Sequence, residues 1–246
     1  LTLLPAGTEV TQHLVSHPSI DMVSLTGGTA VGIEVVKRTA DRLARTTLEL
    51  GGKSPAIILE DADLEQTMAT LVPGSTSYMG QVCVSLSRVL APASRYDEVV
   101  EALAEKYREI QFGDPLDPNS QQGPMSVERG RIRTEAHVER AKQQGARVVT
   151  GGRRPPQFDR GWWYEPTLIA NADHSMDIIH QEVFGPVTTV VSYSNQEEAI
   201  TLANDSDFGL AASVYSRDEA AAMNVARQLK SGSVAINTAG ISFMQP

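Results

Sequence analysis

The residue best able to do covalent chemistry in this chain is Cys83, the only cysteine among 246 residues, set in Tyr78-Met79-Gly80-Gln81-Val82-Cys83-Val84. A thiolate is a strong nucleophile toward carbonyl carbon. At an ordinary thiol pKa of about 8.5 only a few per cent is ionised near neutrality, so an attacking cysteine needs help from a base or a cationic setting. A second stretch, Glu49-Leu50-Gly51-Gly52-Lys53, places a carboxylate beside a flexible turn. Each residue also has an ordinary reading. Free cysteine is among the most buried residue types, and a carboxylate at a strand end is commonly just solvated.

A third feature is Ser24-Leu25-Thr26-Gly27-Gly28-Thr29, where a strand, Asp21 to Leu25, meets a glycine turn and then a helix. Thr29 reads as the cap of that helix, which runs to about Asp41 with Val31, Val35 and Val36 on one side. Such a unit aims backbone N–H groups and the positive end of a helix dipole at whatever sits in the turn, which is how many α/β folds hold phosphates. It is not a Walker loop, because Ile33-Glu34 stands where Lys and Ser or Thr are required, and no G-x-G-x-x-G occurs. The five histidines form no HExxH pattern and no ligand-like cluster in sequence, so no metal is expected.

Composition narrows the partners. A net charge of −9 argues against a polyanion such as nucleic acid, and no Lys/Arg cluster offers a local exception. The strongest strand-like aliphatic run, Ala56-Ile57-Ile58-Leu59, is far shorter than the ~20 apolar residues of a membrane-spanning helix. One cysteine suits a reducing, cytoplasmic compartment. Leu1-Thr2-Leu3-Leu4-Pro5 has no signal-peptide character and reads as the middle of a fold, which points to a piece of a longer protein.

The elements that must position these residues alternate. Strands are expected at Thr46 to Leu50, Pro55 to Leu59, Arg88 to Pro92, Arg147 to Thr150, Thr167 to Ile169, Val187 to Ser192, Ala212 to Tyr215 and Ser233 to Ile236. Helices are expected at Thr8 to Val15, Tyr96 to Ile110, Val127 to Gln144, Asn195 to Asn204 and Asp218 to Leu229. A helix after Asp63 should be interrupted at Pro73-Gly74 before continuing through Met79. The alternation implies an α/β fold, an open, largely parallel twisted sheet with helices on both faces.

Three segments then match one pattern in order: Leu48-Glu49-Leu50-Gly51-Gly52-Lys53-Ser54-Pro55, Gly80-Gln81-Val82-Cys83 and Gln181-Glu182-Val183-Phe184-Gly185-Pro186-Val187. With the Gly27-Gly28 turn, Phe208-Gly209-Leu210-Ala211-Ala212 and Gly232-Ser233-Val234-Ala235-Ile236-Asn237, the chain resembles the aldehyde dehydrogenase superfamily along essentially its whole length. The resemblance implies that residues 1–50 are the last part of a dinucleotide-binding domain and 51–246 most of a catalytic domain.

It further implies oxidation of a small-molecule aldehyde with NAD or NADP. Cys83 would be the nucleophile, and Glu49 the base for the thiol and later for the hydrolytic water. Gly27 and Gly28 would admit the diphosphate, and the Leu50 backbone would approach the nicotinamide amide. Glu182 would accept hydrogen bonds from the nicotinamide ribose, with Phe184 beside the ring. A CoA-acylating relative usually lacks the base at Glu49, so hydrolysis to the free acid is favoured. The intact protein would be a homo-oligomer, a dimer or tetramer. The rival reading is a non-catalytic structural or interaction module that retains the fold.

Overall fold

The computed structural model describes residues 1–239; the last residues of the expected catalytic domain, 240–246, lie outside the described residues. The chain divides into two compact units, Leu1–Gly51 and Gly52–Pro246.

The first unit contains α1 (Thr8–Ser16), β1 (Met22–Thr26), α2 (Thr29–Thr39) and β2 (Arg45–Glu49). β1 and β2 pair in parallel, from Met22 opposite Arg45 to Thr26 opposite Glu49. The start of α2 differs from expectation. Thr29 is the first helical residue, and Gly28 takes the capping position without any side-chain cap hydrogen bond. The regular helix stops at Thr39, whose Oγ1 bonds back to the Val35 carbonyl at 2.9 Å, and a 3₁₀ turn at Ala40–Arg42 follows. Of the three valines expected on one apolar side, only Val35 is buried; Val31 and Val36 face outward, because a sheet two strands wide covers only a narrow strip of helix.

The second unit carries β3 (Pro55–Ile58), α3 (Leu64–Thr76), β4 (Arg88–Pro92), α4 (Tyr96–Glu109), α5 (Glu128–Gln143), β5 (Arg147–Thr150) and β6 (Thr167–Ala170). It continues through α6 (Asp177–His180), β7 (Val187–Tyr193), α7 (Gln196–Asn204), β8 (Ala211–Tyr215), α8 (Glu219–Ala226) and β9 (Ser233–Ile236). The strands form one sheet in the order β5-β6-β7-β4-β3-β8-β9, parallel throughout except for the antiparallel edge pair β5 and β6.

Parallel central strands are covered on both sides, so they read as continuous apolar runs. Successive side chains alternate between two cores: Ile57, Leu90 and Val191 enter one with α5, α7 and α8, while Ala56, Ile58, Val89, Ala91 and Val190 enter the other with α3 and α4. The expected α/β class and two-faced sheet are therefore observed. No described helix is long and apolar enough to cross a membrane.

Helix ends are fixed by short polar side chains. The Asp63 carboxylate accepts the Glu65 and Gln66 N–H groups at the start of α3, and Asn195 and Asp218 serve α7 and α8 in the same way. The expected break at Pro73-Gly74 does not occur: α3 runs through Pro73 to Thr76. Proline lacks one N–H but keeps its carbonyl, which accepts from Ser77 N–H, and the Ser75 and Thr76 hydroxyls bond to the Val72 carbonyl just ahead of it.

Candidate active site

Cys83 follows a turn that few sequences adopt. Tyr78, Met79 and Gly80 all have positive φ, at 53°, 59° and 63°. The left-handed region is costly for the first two, so the surroundings must hold the turn in place. The holding contacts are polar, both within the turn and to a residue distant in sequence. Gln81 donates from both its backbone and its side-chain nitrogen to the Tyr78 carbonyl, and its Oε1 accepts from the Ser126 hydroxyl at 2.9 Å. Beyond the cysteine, Ser85 N–H closes onto the Val82 carbonyl and Leu86 N–H onto Gly74. Cys83 is half-buried and free.

Three glycines show how tightly other segments approach this turn. A Cβ on Gly52 would collide with the Cys83 carbonyl oxygen, one on Gly80 with the Gly185 carbonyl, and one on Gly185 with the Thr134 hydroxyl. Gly52 and Gly185 require glycine for space, and Gly80 requires it both for space and for its left-handed backbone. The Gly52 N–H also donates to Glu182 Oε1 at 3.0 Å. The Gly52 turn, the Cys83 turn and the Glu182-to-Gly185 segment thus pack backbone on backbone, leaving a void of about 10 Å³ lined in part by Gly52, Val82, Glu182 and Phe184. Phe184 has φ of 52° and is 37% exposed, with the Arg133 guanidinium 6.0 Å from its ring centre. Arg133 also donates to the Val183 carbonyl, which fixes the loop that presents the ring.

The remaining expected residues belong to the first unit. Glu49 ends β2 with its side chain exposed, and its carbonyl accepts the Gly27 N–H at 2.9 Å, so the glycine turn and the end of β2 are neighbours. A Cβ on Gly28 would meet nothing within 4 Å, and one on Gly27 only the Leu25 side chain at 3.6 Å. Neither glycine is demanded by packing inside the unit, in contrast to Gly32, where a Cβ would press on Leu50 Cδ2 at 2.8 Å. An uncapped helix start beside an uncrowded turn is suited to an anionic group. The structure therefore gathers Gly27, Gly28 and Glu49 in one unit and Cys83, Glu182 and Phe184 in the other, with Leu50 packed on α2.

Comparison with known proteins decides the family. A model of the aldehyde dehydrogenase family matches residues 1–245. The chain belongs to the aldehyde dehydrogenase family. It is 42% identical to geranial dehydrogenase of Castellaniella defragrans over 234 residues, covering 95% of this chain and 48% of that protein. It is 38% identical to lactaldehyde dehydrogenase of Escherichia coli, over 99% of this chain and 50% of that one. Among solved structures, a Mycobacterium tuberculosis aldehyde dehydrogenase complexed with NAD+ superposes with a TM-score of 0.96 at 42% identity, covering 98% of this chain and 50% of that one. Betaine aldehyde dehydrogenase from Staphylococcus aureus in complex with NAD+ gives 0.94 at 40% identity. The chain spans about half the length of the relatives it matches.

Three features of this aldehyde dehydrogenase chain are not evident from its sequence. Lys53 was visible only as part of a motif. In the structure it is 2% exposed, and its Nζ has no hydrogen-bond partner among the described residues. Burial pushes its pKa down to about 7, the nearby Arg88 cation adds to the fall, and the Glu182 carboxylate opposes it. A lysine placed directly between a Gly-Gly turn and a wholly apolar strand was the available signal. Arg88, fully buried on β4, donates to the Leu202 and Ala203 carbonyls at 2.7 and 2.8 Å and so closes the C-terminal end of α7. Its pKa is lowered to about 10 by burial, against the pull of Asp205. The histidines also hold a surprise: spacing showed no cluster, yet the fold brings His174, His180 and Asp205 together.

Proposed function

We propose that the protein carrying this chain oxidises a small-molecule aldehyde to the carboxylic acid with NAD+ or NADP+, with Cys83 as nucleophile. The observation that carries this reading is the packing of the Gly52 backbone against the Cys83 carbonyl, where no Cβ would fit, while the Gly52 N–H donates to Glu182 at 3.0 Å. The NAD+ bound by the matched structures supports the cofactor class.

The Cys83 thiolate attacks the aldehyde carbon and holds the substrate as a thiohemiacetal. When bound, the nicotinamide supplies the hydride acceptor that this adduct needs to become a thioester. Glu49 takes the thiol proton first and later a proton from the water that hydrolyses the thioester, each a general-base step. Glu182 has one oxygen engaged by Gly52 N–H; a carboxylate offers further lone pairs, which suit the nicotinamide ribose hydroxyls. Phe184, held with its ring outward, would flank the nicotinamide, and the Leu50 backbone would face its amide. The Gly27-Gly28 turn and the uncapped start of α2 would receive the diphosphate. In this reading the first unit is the end of a dinucleotide-binding domain, the second is catalytic, and the intact protein is a cytoplasmic homo-oligomer.

The test is aldehyde-dependent reduction of NAD+ or NADP+ by the full-length protein and its Cys83→Ser variant. Turnover that disappears in the variant while the fold is retained supports the reading; turnover within a few-fold of the unsubstituted protein overturns it.

A further inference from the structure

We propose that His174, His180 and Asp205 form a binding site for one divalent borderline transition-metal ion, Zn²⁺ or Co²⁺, which would tie the loop after β6 to the end of α7. None of the three takes part in the reaction proposed above, and the site stands or falls independently of it. His174 lies in the loop after β6, His180 closes α6, and Asp205 caps the C-terminus of α7. One donor atom from each residue lies within 4.8 Å of the others.

The triangle is close to metal-binding dimensions. His174 Nε2 and Asp205 Oδ2 are 2.8 Å apart. Two ligands on one tetrahedral zinc at bond lengths of about 2.0–2.1 Å sit roughly 3.3 Å from each other. The remaining donor lies no more than 4.8 Å from the other two, so a side-chain shift of at most roughly 1.5 Å completes the set. The rings of His174 and His180 already pack edge to face with centroids 4.9 Å apart, and His180 Nε2 lies 2.6 Å from the His174 carbonyl oxygen. His174 Nδ1 is buried with no hydrogen-bond partner among the described residues. The cluster therefore has more donor capacity than its internal hydrogen bonds use.

The donor set selects the metal class. Two imidazoles and one carboxylate suit Zn²⁺ and its neighbours, whereas Mg²⁺ and Ca²⁺ prefer all-oxygen sites. Three protein ligands leave a position for water. The nearby cation is Arg88, which acts on the Asp205 carboxylate, but its guanidinium is already directed at the α7 carbonyls. A bound ion would join the β6-to-α6 loop to the end of α7, just ahead of the Gln181-Glu182 segment.

The experiment uses the full-length protein in a Cys83→Ser background, which removes the thiol as a competing ligand, after chelator treatment and dialysis. Zn²⁺ is titrated calorimetrically, and Co²⁺ by its visible absorption. One Zn²⁺ per chain is expected, with affinity falling at least ~10-fold in His180→Gln and in Asp205→Asn. His13→Ala should leave affinity unchanged, because His13 and His17 form a separate close pair with ring centroids 5.7 Å apart. Should both ligand variants fail to fold, the Co²⁺ spectrum decides: intense four-coordinate bands without a thiolate band support the site. No Co²⁺ spectrum, or Zn²⁺ affinity within two-fold across the folded variants, overturns it.

Discussion

Replacing Lys53 with methionine should make the second unit more stable at neutral and acidic pH, by an amount that fades as pH rises. The lysine is 2% exposed with no hydrogen-bond partner for Nζ among the described residues, and its pKa falls from 10.5 to about 7. A depressed lysine pKa means that the fold penalises the charged form. Below pH 7 the side chain is protonated in both folded and unfolded chains, and the whole penalty applies. Between about 7 and 10.5 the unfolded chain binds the proton and the folded one does not, so stability climbs with pH by up to 1.36 kcal/mol per unit. Over this interval the ceiling is about 5 kcal/mol. Methionine fills nearly the same volume without charge.

The assay is the denaturant midpoint of the unsubstituted chain and Lys53→Met, followed by fluorescence of Trp162 and Trp163, both in the second unit, at intervals from pH 6 to 9.5. Titrations common to both proteins cancel in the difference. Lys53→Met is expected to be the more stable near pH 6, with its advantage shrinking steadily through pH 9. A stability difference that does not vary with pH would refute the assignment of a depressed pKa to Lys53.

Three other outcomes are expected. Gly52→Ala pushes a methyl into the Cys83 carbonyl, so the Cys83 turn must move; overpacking of this kind costs about 1–3 kcal/mol, and iodoacetamide labelling of Cys83 should change rate along with the lowered melting temperature. Asp63→Ala removes the acceptor for the Glu65 and Gln66 N–H groups at the start of α3 and should cost ~1 kcal/mol in a denaturant titration. Tyr107→Phe deletes a buried hydroxyl held at 2.8 Å by both Ser75 Oγ and Thr188 Oγ1, and a loss of about 1–2 kcal/mol should appear in the same titration.

Much of the architecture was legible because burial on both faces leaves a plain trace. Ile57-Ile58 and Val89-Leu90-Ala91 are apolar without alternation, as strands feeding two cores must be. Capping residues Asn195 and Asp218 marked helix starts for the same local reason. What stayed hidden depended on partners distant in sequence. Pro73 reads as a breaker, yet the helix passes through it. Nothing in Tyr78-Met79 announces left-handed backbone; that conformation is imposed by Gln81, Ser126 and the packing of Gly80 on Gly185. Gly27-Gly28, Glu49, Cys83 and Glu182 could be picked out by motif, while the isolation of Lys53 and the meeting of His174, His180 and Asp205 emerge only when the sheet closes.

The central claim, that Cys83 carries the substrate and Glu49 activates the water that releases it, is tested most directly by intact-mass measurement on Glu49→Gln in the full-length protein. An amide cannot take a proton from water, so deacylation should stall. General-base assistance is worth ~10²–10⁴-fold. Mixing with aldehyde and cofactor is expected to give a burst of reduced nicotinamide, a steady-state rate lowered by that order, and an acyl adduct that maps to Cys83. Turnover within a few-fold of the unsubstituted protein, with no adduct on Cys83, would contradict the account.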